Sequence, residues 1–439
     1  MLAWRPRLDP LELLGLGVLA VVAALLSAGI VKAPLTALVL VLVAGAALVF
    51  LARTDLAILF VVATAPIEGE WVTGPSGISV TKLAGGLCIA SFVFTLARQR
   101  ERRIVLEPGQ AIVFGILGLA LLSTLHAQDT SAALTTTTRY ASFAAVYFIV
   151  TQFGHDRVLQ RRICWTLAIL CSVAAALGLH DYLNGSQTLA TLPNANSNDF
   201  AFILVTSLPF MFVLLNSRFR LVVAGMIGLV CGAALLSLSR GALLGVAAGF
   251  VLFVLTDRRR VQLTVAAGVI ATIGVVLVIH SNPQRFHEAV LLKQQVAQEN
   301  VTTRFQAWGA AARLASDHPL LGVGPGNFQF YYNKLTGQPV GAYILTVAHN
   351  ALLDISAELG LIAMCLFAVY LVLAFVRLSA SLEKGYGDPA FVQALRISLT
   401  IAIVSAMFLS EQYFLPFWLI GGLAAAIWHE GRARAAPAE

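Results

Sequence analysis

His349 stands with Asn350 at the head of a long apolar run, a position from which an imidazole can do acid–base chemistry. A helix N-terminus presents unsatisfied N–H groups and favours negative charge, so it disfavours an imidazolium. Neighbouring arginines push the same way, which makes His349 an expected neutral group able to accept a proton. The bland alternative is a histidine that caps a helix at a membrane interface. Three arginines share its side of the sequence pattern. Arg240 lies in Ser237-Leu238-Ser239-Arg240-Gly241, Arg304 in Thr303-Arg304-Phe305-Gln306-Ala307-Trp308, and Arg139 in Thr138-Arg139-Tyr140. Brought to one place, their guanidinium forks match phosphate oxygens and would make a diphosphate site. Taken singly, each could instead snorkel to lipid headgroups.

Two carboxylates follow the histidine. Asp354 and Glu358 are four apart, one to two turns beyond His349, and could orient it or pair with an arginine. Leaving them buried and unpaired would be expensive. The stretch Pro193-Asn194-Ala195-Asn196-Ser197-Asn198-Asp199 precedes another apolar run. It reads as a turn with Asp199 as the helix N-cap, or as amides from Asn194 and Asn196 that contact sugar hydroxyls or phosphate. No His-Glu-x-x-His, paired Asp-x-Asp or Cys/His cluster is present, so no metal site is expected. The glycine turn Gly322-Val323-Gly324-Pro325-Gly326 lacks the strand–turn–helix setting of a dinucleotide fingerprint.

These residues must be held by a membrane protein. Of 439 residues 59% are hydrophobic and 12% charged, with a mean hydropathy of +0.84, more apolar surface than a soluble chain of this size could cover. Fourteen apolar runs are candidate spans: 11–31, 34–51, 55–66, 80–97, 110–126, 138–153, 163–183, 199–215, 219–237, 240–256, 261–280, 350–376, 392–409 and 413–428. The third is short, and twelve is the count if one hairpin is lost. The run at 11–31 follows Arg5 and Arg7 but is long for a signal peptide, and is expected to be a retained span. With both termini in the cytoplasm, 20 of the 29 lysines and arginines fall on the inner side, and five of the rest lie in the long segment 281–349. The chain therefore divides into 1–280 (spans one to eleven), 281–349 (an outer loop with two or three short helices on the membrane face) and 350–439 (three spans and a tail). The net charge of +7 belongs to that inner-side bias and not to nucleic-acid binding. All five cysteines lie in apolar runs, as small buried hydrophobes.

The order SLSRGALLG, TRFQAWGAAARLASDHPLLGVGPGNF and HNALLDISAELG resembles the bacterial O-antigen ligase/O-antigen polymerase superfamily, best over 194–361. The resemblance implies an all-α polytopic membrane protein of about 12–14 transmembrane helices with a helical periplasmic loop, a GT-C type glycosyltransferase of the bacterial inner membrane working on its periplasmic side without metal or cofactor. The implied donor is a glycan on undecaprenyl diphosphate. The implied acceptor is lipid A–core for a ligase, or another lipid-linked glycan for a polymerase. By the same resemblance His349 is the base, Arg240 and Arg304 bind diphosphate, and Arg139 matches only loosely. The count of fourteen spans departs from the roughly twelve that the ligases have. A protein-directed oligosaccharyltransferase fits less well. A polysaccharide flippase is the competing reading of another class. Transporters, however, place ionisable residues near the bilayer midplane, and here such residues gather at span ends.

Overall fold

The computed structural model describes residues 45–67, 80–99, 104–193, 195–256, 261–336, 347–410 and 412–435. The expected span at 11–31 and most of the one at 34–51 lie outside them, as does Asn194. Among the described residues all regular structure is helical. Helices α1 (Gly45–Ala52) and α2 (Thr54–Thr64) meet at 115°. Then come α3 (Val80–Arg98), α4 (Pro108–Thr124), α5 (Thr130–Phe153), α6 (Arg157–Asn184), α7 (Ser197–Leu214), α8 (Arg220–Leu236), α9 (Arg240–Thr256) and α10 (Val261–Ser281). The cap is built from α11 (Pro283–Asp317), α12 (Phe328–Thr336) and α13 (Ala351–Leu359), and the chain closes with α14 (Leu361–Lys384), α15 (Pro389–Ala406) and α16 (Leu415–Ala435).

Five described helices, α3, α6, α7, α14 and α15, are long and apolar enough to cross a membrane, and the bent pair α1–α2 adds a sixth candidate. Helices α4, α8 and α9 are equally apolar but shorter. The chain is an all-α polytopic membrane protein. Local sequence sets many of the helix starts. Glu107 caps α4 reciprocally with Gln110, and Pro108 takes the first turn, where a missing N–H is harmless. Asp129, Asp156 and Asp388 cap α5, α6 and α15 by accepting an N–H of the first turn. The middle of the bundle is filled by Phe202, Phe367, Phe417, Tyr147, Tyr370 and Trp418, all fully buried, with Tyr370 stacked on Trp418 at 5.4 Å.

Three expectations are corrected. The segment 281–349 is not a set of two or three short helices over its first half. Residues Pro283–Asp317 form one continuous helix of 35 residues, about 50 Å long at the helical rise. Its start reaches α6, where Arg285 Nη1 donates to the Tyr182 carbonyl at 2.8 Å, and its later turns pack on α13. The run 350–376 is not one span. It breaks at Gly360 (φ 88°, ψ 171°), so α13 is a short helix outside the candidate spans and α14 begins the membrane helix. The run at 138–153 starts earlier, at Thr130, which puts Arg139 inside a helix and not at its mouth.

Candidate functional site

The cap sits on one end of the bundle, at the C-terminus of α4, the N-terminus of α5, the α8–α9 junction and the C-terminus of α15. Its turn at 318–326 is bolted down by backbone. Val323 N donates to Ala357 O at 2.9 Å, Gly324 N to Glu358 O at 3.0 Å and Leu361 N to Pro319 O at 2.8 Å. Ser123 Oγ donates to the Glu358 carbonyl at 3.0 Å, and Asn327 exchanges two bonds with Asp129, accepting from its N–H at 2.8 Å and donating to its carbonyl at 3.1 Å. Gly322, at φ 63°, lies so close to α13 that a Cβ there would stand 2.3 Å from the Glu358 carbonyl carbon, so only glycine fits.

His349 precedes α13 with φ 54°. It is one of two non-glycine residues with positive φ among the described residues. The other is Leu238 (φ 52°), two positions before Arg240. An L-residue held there costs on the order of 1–3 kcal/mol and persists only where its surroundings over-determine it. Asn350 is the cap of α13, its Oδ1 accepting from Leu352 N and Leu353 N at 3.1 Å each. Its Nδ2 donates to the Met407 carbonyl at 3.1 Å. Burial, and then the charge of Arg304, push the His349 pKa down to about 4, so the imidazole is neutral at pH 7.

Arg304 comes from α11. Its Nη1 donates to the Phe408 carbonyl at 3.3 Å, while its Nε is buried with no partner. The last carbonyls of α15 have no intrahelical acceptor role, and two side chains of the site take them: Asn350 at Met407 and Arg304 at Phe408. Burial, then the charge of Arg240, lower the Arg304 pKa. Arg240 opens α9 and is exposed. The helix that carries it lies tight on α15 through Gly241, Gly245 and Gly249. A Cβ at Gly241 would meet Phe408 Cβ at 3.2 Å, and one at Gly245 would meet Ile401 O at 2.8 Å. Small residues at this spacing allow two membrane helices to approach backbone to backbone. The structure therefore brings His349, Arg304 and Arg240 together around the end of α15. Among the described residues the ion pairs involve other arginines and His180, and neither Arg240 nor Arg304 has a carboxylate partner.

The carboxylates lie beneath. Asp354 is 1% exposed, and its Oδ1 accepts from Ala348 N at 2.6 Å, with the side chains of Ser410 and Gln412 beside the carboxylate. Glu358 is 2% exposed and accepts from Tyr413 Oη at 2.5 Å and from Phe328 N at 3.4 Å. Burial raises Asp354 to about 6; burial and the Asp354 charge raise Glu358 to about 7. Among the described residues neither pairs with an arginine; Asp354 holds the backbone next to His349, while Glu358 bonds Tyr413 and Phe328.

Other predicted residues stand apart. Arg139 is exposed on α5 with no hydrogen bond or ion pair among the described residues. Asn196 caps α7, its Oδ1 accepting from Asn198 N at 2.8 Å, so the expected cap is corrected from Asp199, which lies inside the first turn, to Asn196. No group of three or more His, Cys, Asp or Glu among the described residues could hold a metal ion. Sequence reasoning missed Leu238, the α15 carbonyls, the glycine stripe, and Tyr413 and Gln412 beside the carboxylates. The spacing Gly241, Gly245, Gly249 was the one signal that could have been read. Chemically, the arrangement offers a neutral base next to a pair of cations with room in their coordination for an anion.

A helical membrane bundle with a base and uncompensated cations under a polar cap defines the class, and comparison with known proteins narrows it. Residues 225–368 match the family described as O-antigen ligase. The chain is also 26% identical over 220 residues to an O-antigen ligase of Salmonella typhimurium (strain LT2), covering 49% of this chain and 54% of the relative. It thus spans about half the length of that relative. Both findings make the chain similar to O-antigen ligases, the family match lying in its second half. The matched segment contains Arg240, Arg304, His349, Asp354 and Glu358; Arg139, Asn194 and Asn196 lie outside it.

Proposed function

We propose that the chain is an inverting, metal-independent O-antigen ligase-like glycosyltransferase of the bacterial inner membrane, with both termini cytoplasmic and the cap periplasmic. It moves a glycan from undecaprenyl diphosphate onto a lipid A–core acceptor. The observation that carries this reading is Arg304: a half-buried guanidinium with an unpartnered Nε and no carboxylate partner among the described residues, next to a histidine kept neutral. Buried cations without partners are costly, and a bound dianion removes that cost. His349 takes the proton of the acceptor hydroxyl as its oxygen attacks the anomeric carbon. The bond from that carbon to the diphosphate oxygen breaks on the opposite face, and the diphosphate leaves with the electron pair into the field of Arg304 and Arg240. No nucleotide is required, because the lipid diphosphate is already a good leaving group.

The test is a reconstituted assay with purified chain, lipid-linked glycan and lipid A–core, with no metal added. Transfer to lipid A–core that is lost in His349→Ala supports the reading. Extension of the lipid-linked glycan instead would make the chain a polymerase of the same superfamily. Glycan movement across vesicles that survives His349→Ala would make it a transporter.

A further inference from the structure

We infer that Asp354 is a positioning residue for His349, holding the left-handed bend that keeps the imidazole beside Arg304. This rests on the proposed role of His349 as base. The residues on either side of the histidine are pinned. Ala348 is fully buried, and its N–H goes to Asp354 Oδ1 at 2.6 Å. Asn350 is pinned by its own cap, by Met407 O, and by Asp354 N, which donates to its carbonyl at 2.9 Å. Residues 348–354 thus close into a ring in which Asp354 supplies both an acceptor and a donor, and His349 sits between the two fastened points at φ 54°. The ring is registered on the carbonyl adjacent to the one that holds Arg304, so base and cation share one ruler, the last turn of α15.

Only one carboxylate oxygen is used for this. The other, Oδ2, lies toward the side chains of Ser410 and Gln412, which work against the rise in the Asp354 pKa that burial causes. Among the described residues, Glu358, Tyr413 and Tyr140 are the other titratable neighbours. The geometry needs an acceptor for Ala348 N and not a charge. An asparagine keeps that acceptor, and its amide N–H groups would meet Ser410 Oγ or Gln412 Oε1.

The experiment compares Asp354→Asn, Asp354→Ala and His349→Ala, each purified as the full chain, in the transfer assay and in carbethoxylation by diethyl pyrocarbonate across pH. The wild-type signal minus that of His349→Ala reports His349 alone. Asp354→Asn is expected to keep kcat and the His349 profile. Asp354→Ala should lower kcat about a hundredfold, the scale of an ångström misplacement, leave KM nearly unchanged, and move the His349 profile up toward an ordinary histidine. A folded Asp354→Asn that loses as much activity as alanine overturns the proposal, since the charge would then be what matters. So does an Asp354→Ala with wild-type kcat and an unmoved His349 profile. If His349→Ala transfers normally while Asp354→Ala still moves the His349 profile, the role of base falls and the positioning stands.

Discussion

At the end of the bundle away from the cap, Arg377 of α14 meets Glu107, and Glu107 also accepts from the Tyr147 hydroxyl. Both ion-pair side chains are less than a tenth exposed. Around them Gln110 and Gln152 take up the Val105 backbone, with Val105 N donating to Gln152 Oε1 at 2.8 Å. At the cap end, among the described residues, Arg304 has a carbonyl and an empty Nε, Arg240 has no ion pair, and Ser239 Oγ and Trp308 Nε1 are buried without partners. One family of residue types thus builds two kinds of region. Where the guanidinium meets a buried carboxylate, charge fastens helices α4, α5 and α14, although Ser381 Oγ one turn along α14 has no partner among the described residues. Where donors are left over, the fold carries them at a cost and a ligand can supply the match.

The sharpest way to break that contrast is to remove charge from each end. His349→Ala should cut transfer about a thousandfold, within the range for a lost general base, and Arg304→Met by about a hundredfold or more, both with an unchanged or raised unfolding midpoint. Glu107→Ala should do the reverse: it leaves Arg377 buried alone and destabilises by about 3–5 kcal/mol, read as a lower midpoint with transfer per folded molecule intact. Transfer falling with Glu107→Ala at full stability would erase the distinction between the ends.

A pH profile sharpens it next. The His349 pKa is depressed, so the proton-accepting form is present at every pH above about 4. The acid limb of kcat/KM should lie near pH 4, about two units below that of an ordinary histidine near 6.5. An acid limb at 6.5 would mean that His349 is neither buried nor next to Arg304 in the working enzyme.

Smaller effects test the framework. Gly245→Ala would set a Cβ 2.2 Å from Ser405 Oγ and 2.8 Å from the Ile401 carbonyl. Overpacking of this kind costs about 1–3 kcal/mol and should push α9 off α15, weakening donor binding through Arg240 more than it slows the bound reaction. Last, Asn196→Ala should cost about 1 kcal/mol as a lost cap and leave transfer unchanged. A raised KM at constant stability would return Asn196 to the site.

Much of this was legible because the membrane demands long apolar runs, and those runs mark most helices to within a few residues. The break at Gly360 was hidden for the same reason: Leu359 and Leu361 continue an apolar pattern, and only the positive φ that glycine allows ends the helix. The polar pair Asp354 and Glu358 inside that pattern was its trace. Continuous α11 passes through Asn300, Val301 and Thr302, weak helix formers, because propensity of this size yields to packing at the two ends of the helix. For the site, His349, Arg240 and Arg304 were readable from residue type and position. The Met407 and Phe408 carbonyls were not, since every residue has one and only the fold decides which are left over. Arg139 shows the opposite failure, an arginine of the right type whose helix starts too early to bring it to the others.

The bolts between the turn at 318–326 and the break at Gly360 have a practical corollary. Two rungs at Val323 and Gly324 and a third from Leu361 to Pro319 fix how many residues can lie between His318 and Asn327. Adding or deleting one would slide the turn along the edge of α13 and put a side chain where Gly322 sits. Loop length there is as tightly specified as any core side chain, and swaps of this segment between homologues should be made at its outer joints and never through its middle.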